Sequence, residues 1–253
     1  AREIDDIDIM APLSLSLCYA YVTSGQYDLL IDTALAVTDL IEKTERQPEF
    51  FTTPFVLYAF LAGLAGTAMG MKGDFKKGLK MSDKGLKCAT ESEHIMTLAF
   101  MELQYANLMI LMCDGERAIV HCQNSIRHSE AIKWPTILCQ AWTMLGHAHF
   151  YLGAMSRAEA SVAKGLKIQK DTDIDAMMSL HYCVLAMIHF DQGDIDEAFQ
   201  CSEKALNLSQ TNREKRYEGL AKIWMGKILG SEQKGQIESG EKLIRDGCDI
   251  FKN

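Results

Sequence analysis

Stepping through the chain by 40 residues brings like side chains into line. Gly66, Ala106, Gly146, Ala186 and Gly226 form a column of small residues, preceded by Ala65, Tyr105, Leu145, Leu185 and Met225 and followed, three places on, by Met69, Met109, His149, His189 and Leu229. Gly73, Cys113, Gly153 and Gly193 make a turn column, and Gly78, Ala118, Ala158 and Ala198 a second small column. Gly85, Ser125, Gly165 and Ala205 come next, each followed by Leu or Ile. An earlier unit, LCYAYVTSGQYDLLIDTAL, joins at an offset of 48, with Cys18 and Gly25 in register. Self-similarity at one period makes the fold an array of stacked units, each burying its apolar face against its neighbours. Thr44 to Pro54, TERQPEFFTTP, holds the eight extra residues and is the one irregular insertion.

Each period reads as two helices. From Trp134 to Leu152 apolar residues recur at three and four, Gly153 breaks the run, and a second run follows from Ser156 to Ile168. The glycine ends the first helix because the chain there needs a conformation that other side chains resist. Small residues inside both helices predict close helix crossings, since a missing Cβ branch lets two axes approach. Pro12, Pro48, Pro54 and Pro135 are placed at helix starts or junctions, where a lost N–H costs little.

His147 and His149 invite a metal reading, which the spacing rejects. Residues two apart on a helix point about 200° apart, whereas metal-binding helices place histidines four apart. His149 shares its column with Met and Leu and reads as packing; His147 shares one with Thr67, Asn107, Met187 and Lys227, where polar groups are tolerated.

The unit containing Trp142, Leu145, Gly146 and Ala158 resembles a tetratricopeptide repeat, with His149 in place of the pattern's Tyr and Val162 in place of its Phe. Tyr182, Leu185, Ala186, His189, Ala198 and Ser202 make a weaker copy, and the resemblance covers about Ala11 to Phe251. It implies an all-α fold, a right-handed α-α superhelix of about six antiparallel helix pairs. Two departures stand out: the family's period is about 34 residues and its closing Pro is absent here, so the helices are expected to be longer by about a turn and a half. HEAT-type repeats have a similar long period and are the competing fold; the paired small columns favour the tetratricopeptide reading. One array over residues 1–253 is expected, with units at 8–43, 55–90, 95–131, 135–170, 175–210 and 215–252.

Eight cysteines, none closer than nine residues to another, exclude a CxxC zinc or redox motif and point to packing in a reducing compartment. With no signal peptide and no run of about eighteen uninterrupted apolar residues, the expected setting is the cytoplasm, without membrane contact. A net charge of −8 argues against nucleic acid as a partner. Locally, Lys76, Lys77, Lys80, Lys84 and Lys87 follow helical spacing with few acids nearby. They form either a solvated outer face or a docking patch for an acidic partner.

No catalytic motif emerges. GQIESGEK at Gly235 to Lys242 imitates a phosphate-binding loop but has Glu241 where Lys is needed and no strand before it. GLAGTAMG at Gly63 to Gly70 is assigned to packing at Gly66 and to thinness on one face at Gly63 and Gly70. No nucleophile elbow or Cys–His arrangement is present. The expectation is a chain that is not an enzyme, with no cofactor and no metal; a helical-repeat enzyme would need a catalytic pair assembled from distant repeats.

The resemblance implies that the first helix of each unit lines a concave groove, placing Phe60, Phe100, Leu103, Asn107, Gln140, Thr143, His147, Tyr151, Cys183, Met187, Phe190 and Lys227 there. Such a lining suits an amphipathic helix or extended peptide, unless neighbouring helices cover it. The C-terminal run GLAKIWMGKILGSEQKGQIESGEKLIRDGCDIF resembles the last repeats of multidomain bacterial signalling proteins, and the chain, which opens without Met, reads as a piece of a longer one. What this resemblance implies is a regulatory scaffold binding a protein, a peptide or another domain of the same polypeptide, with room for homo-oligomers. The alternative is a sensor of a small effector controlling an attached cyclase, ATPase or transcription-activator module.

Overall fold

The computed structural model describes residues 6–172 and 176–252, and every regular element among them is an α-helix. In chain order these are α1 (Ile7–Ser24), α2 (Tyr27–Lys43), α3 (Leu57–Met71), α4 (Phe75–Glu91), α5 (Ile95–Leu111), α6 (Gly115–Ala131), α7 (Pro135–Tyr151), α8 (Met155–Asp171), α9 (Met178–Gln192), α10 (Ile195–Thr211), α11 (Lys215–Leu229) and α12 (Ile237–Lys252). They divide into two compact units. The first comprises residues 1–22 and 26–141; the second comprises 23–25 and 142–253.

In the first unit, α3 packs on α2, α4 and α5, and α5 on α6. In the second, α9 packs on α8, α10 and α11, and α11 on α12. These contacts explain why first and second helices of a pair have different sequences. α3 is enclosed on several sides, and all of its residues from Leu57 to Gly70 are buried. α4 buries only Gly78, Met81, Ser82, Gly85 and Ala89, a stripe at three- and four-residue spacing, and leaves its lysines in water.

The small columns lie where helices cross. A Cβ on Gly146 would sit 2.7 Å from the carbonyl oxygen of Ala158, and one on Gly226 would sit 2.5 Å from that of Gly240. Both contacts are with backbone, so a larger residue would have to push the helices apart. Gly63 and Gly70 also mark a crossing rather than a thin face: their missing Cβ atoms make room for Met101 and Leu108 of α5. In the turn column Gly73, Gly153 and Gly193 take φ of 83°, 71° and 85°, and Cys113 adopts the same left-handed conformation at 57° without being glycine. Asp74 and Asp114 follow that column, and each accepts a backbone N–H of the helix it opens, at 3.2 and 3.0 Å.

Pro135 is the first residue of α7, where its missing N–H is harmless. Pro12 departs from expectation. It lies inside α1, beyond the first turn, where it removes one intrahelical hydrogen bond. α1 is also the one helix, among the described residues, long and apolar enough by length and composition to cross a membrane, with a mean hydropathy of 1.2. It turns Ile7, Ala11, Ser14 and Cys18 inward and leaves Ile9, Leu13 and Leu17 about half exposed.

Candidate partner-binding surfaces

The first unit places most of its expected groove residues in the core. Phe60 stacks between Phe55 and Phe100 with centroid separations of 4.0 and 3.4 Å, and Tyr19 of α1 leans on it at 5.8 Å. Phe60 has no exposed surface, and Phe100 and Leu103 have almost none. The same chain therefore supplies the apolar cover that a partner would otherwise provide. Asn107 and Gln140 are half-buried, and the Gln140 side-chain amide donates to the carbonyl of Thr136 at 3.0 Å.

Lys76, Lys77, Lys80, Lys84 and Lys87 are all exposed along α4. Acids are nearer than the sequence suggested. Lys77 pairs with Asp74 at 2.7 Å, Lys84 with Glu42 at 2.7 Å, and Lys87 lies 3.7 Å from Glu91. Asp74 is the cap of the same helix, while Glu42 arrives from α2, a proximity that linear spacing does not reveal. Lys76 and Lys80 have no ion pair among the described residues.

In the second unit Thr143, His147, Cys183 and Met187 are buried. Thr143 belongs to a polar clip: its hydroxyl meets Nδ1 of the fully buried His181, whose Nε2 meets the side-chain oxygen of Gln169. Gln169 in turn donates to the carbonyl of Ala176 at 2.8 Å. Burial pushes the His181 pKa down to about 4. Beside this clip, the Glu214 carboxylate accepts the Met177 N–H at 2.8 Å and the Ser179 hydroxyl, holding the start of α9. Thr143 was expected only as a groove residue, and His181, Gln169 and Glu214 not at all, because a buried polar side chain looks like a surface one in a sequence.

His147 packs against the rings of Phe150 and Tyr151 at 6.4 and 4.8 Å, and its Nε2 has no hydrogen-bond partner among the described residues. Burial, reinforced by the positive charge of Arg216, drives its pKa down to about 3, so the ring is neutral in neutral solution. Among the described residues no three His, Cys, Asp or Glu side chains gather where they could hold one metal ion. Cys183 is buried, its thiol directed at the Tyr217 carbonyl and its pKa raised by burial. That environment suits packing and not nucleophilic chemistry.

Tyr151 and Phe190 are half-buried, and Lys227 is exposed. Phe190 of α9 meets Trp224 of α11 edge-on at 5.9 Å, and the Lys227 ammonium lies 3.7 Å from the Trp224 centroid and 5.5 Å from that of Phe190. Partial desolvation lowers the Lys227 pKa, with Asp191 acting weakly against it. The result is an accessible patch that joins two aromatic surfaces to one cation. Trp224 was not among the expected groove residues; its i, i+3 spacing to Lys227 is the signal that could have found it.

The family model described as Tetratricopeptide repeat matches residues 140–172 and 182–212. Two helix pairs of this chain are thus similar to tetratricopeptide repeats. These matches run from α7 into α8 and from α9 into α10, with His181 just outside the second and its partners Thr143 and Gln169 inside the first. Solved structures share the fold. A Rap protein complexed with competence and sporulation factor matches with a TM-score of 0.70 at 14% identity, over 96% of this chain and 70% of its own. BtubC (BKLC) from P. vanneervenii matches with a TM-score of 0.57 at 15% identity, over 90% of this chain and 89% of its own. A signal transduction ATPase with numerous domains from Pyrococcus horikoshii, which carries a tetratricopeptide repeat sensor, matches with a TM-score of 0.58 at 14% identity; the match covers 96% of this chain and 41% of that one. No curated protein matches the sequence.

Proposed function

We propose that this chain is a non-catalytic, regulatory interaction scaffold of the cytoplasm. It binds a peptide or helix of a partner, or of a further domain of the same polypeptide, through the Phe190–Trp224–Lys227 patch. That patch carries the reading: two half-buried aromatic side chains and an exposed cation lie together on the first helices of successive pairs, whereas Thr143, His147, Cys183 and Met187 of the same unit are buried. An aromatic fully covered by a partner contributes about 1.5–3 kcal/mol, and a partly desolvated ammonium favours an acidic residue beside the apolar anchor. The Rap protein was solved with a factor bound and the Pyrococcus repeats are termed a sensor; both agree with a regulatory role, and the eight free cysteines, five of them buried, suit a reducing compartment.

The test is selection of displayed random peptides on the whole chain, followed by anisotropy titration of the labelled winners. Peptides with an acid next to an aromatic or aliphatic residue are expected, and Phe190→Ala or Lys227→Ala is expected to weaken them at least about tenfold, about 1.4 kcal/mol. Winners that bind both variants as tightly as the parent chain would discard this surface.

A further inference from the structure

The insertion that breaks the 40-residue rhythm has a shape of its own within the first unit. Glu45, Phe51 and Thr52 take left-handed backbone conformations with φ of 55°, 46° and 65°, which side-chain-bearing residues adopt only when their surroundings compel it. Arg46 supplies the compulsion. Its guanidinium bonds Glu49 at 2.8 and 2.5 Å and Asp8 at 2.7 Å and stacks 4.6 Å over the Phe51 ring. On the far side the Cys88 thiol donates to the Gln47 carbonyl at 3.5 Å, clipping the loop to α4.

Between this loop and the C-terminal half of α4 lies an open surface cleft of about 710 Å³, within the usual size range of small-molecule sites. Its charges are not equally engaged. Glu42 is satisfied, accepting from Lys84 at 2.7 Å and from the Tyr58 hydroxyl at 2.5 Å. Lys87 and Glu91 are only loosely paired, at 3.7 Å, with side chains 76% and 67% exposed. They sit one helical turn apart, and neither makes a hydrogen bond to the other. Pro48 of the loop and the Cys88 thiol, which burial keeps protonated, line the same space. One ammonium, one carboxylate and a small apolar floor therefore face the same space.

We infer that this cavity binds a free α-amino acid with an apolar side chain, its carboxylate on Lys87, its ammonium on Glu91 and its side chain against Pro48 and Cys88. A singly charged ligand would engage only one of these two solvated charges. A zwitterion replaces the loose Lys87–Glu91 pair with two short charge-assisted bonds.

The inference is independent of the Phe190 surface, and so is its test. Each proteinogenic free L-amino acid is added at millimolar concentration to the whole chain in a thermal-shift assay, and the best stabiliser is carried into calorimetry beside its N-acetyl and methyl-ester forms. An apolar amino acid is expected to raise the melting temperature. Blocking either end, or making Lys87→Gln or Glu91→Gln, is expected to weaken binding at least about tenfold. Both positions are exposed, so the variants fold, as circular dichroism will verify. If no amino acid stabilises the chain, or if binding withstands both substitutions, the inference is wrong.

Discussion

α3 and α11 carry the same small column, Gly66 and Gly226, yet one is wholly enclosed and the other keeps an accessible patch. In α3 the chain meets its own aromatics: Phe55, Phe60 and Phe100 form one stack, with Tyr19 on top. At α11 the aromatic Trp224 meets Phe190 and the ammonium of Lys227, and a lysine head stays in water. The repeat template thus sets where a helix runs. The chemistry at a few positions on its free side sets whether that side becomes core or remains available to a partner.

The largest effect expected from breaking this contrast is at Phe60. Phe60→Ala should cost about 3–5 kcal/mol, seen as a lower urea midpoint by far-ultraviolet circular dichroism, because the stack has no room to collapse around the loss. A change below about 1 kcal/mol would show that the stack does not support the first unit.

Acid comes next. His181 and His147 have folded pKa values of about 4 and about 3, below the ordinary value for histidine near 6.5. The unfolded chain therefore binds more protons between those values, and the stabilisation is complete above about pH 6.5 and lost as pH falls toward 4 and then 3. Each pKa unit is worth about 1.4 kcal/mol, so melting temperature should drop steeply from pH 7 to pH 5. His181→Gln should melt lower at pH 7 and lose part of that slope; an unchanged slope would remove His181 from the account.

Gly226→Ala tests the crossing that both helices share. Its added methyl meets the Gly240 backbone, and a cost of about 1–3 kcal/mol in urea is expected. A neutral or stabilising result would mean that α11 and α12 can separate freely. Smaller still, Phe190→Ala should lower stability by about 1 kcal/mol or less while losing the selected peptides. That is the reverse of the Phe60 pattern, since Phe190 is already half in water. Lys80→Gln should stay within about 0.5 kcal/mol and leave peptide binding intact, as expected of an exposed side chain without an ion pair.

The columns were legible because a crossing of two helices imposes a steric rule at one residue, and that rule is written as Gly or Ala whatever surrounds it. Gly146, Gly226 and the turn glycines follow it directly. Burial of the groove positions was less legible. Phe60 and Phe190 are the same residue type in first helices, and only their neighbours separate a stacked core ring from an accessible one. The cavity beside Lys87 had one signal, the insertion that interrupts the period, while Tyr58, Cys88 and Glu91 carried none. Pro12 went astray for a related reason: a helix start can be read to within a turn, and the cost of a proline changes within that turn.

By itself the amino-acid order determined an all-helical chain of paired, closely crossing helices, because periodicity and small residues act over one or two turns of chain and need no knowledge of distant partners. Tertiary structure alone decided which aromatics are buried, that His181 is clipped between Thr143 and Gln169, and that Glu42 answers Lys84. These outcomes depend on side chains brought together from far apart in sequence, where burial changes the energy of every polar and charged group.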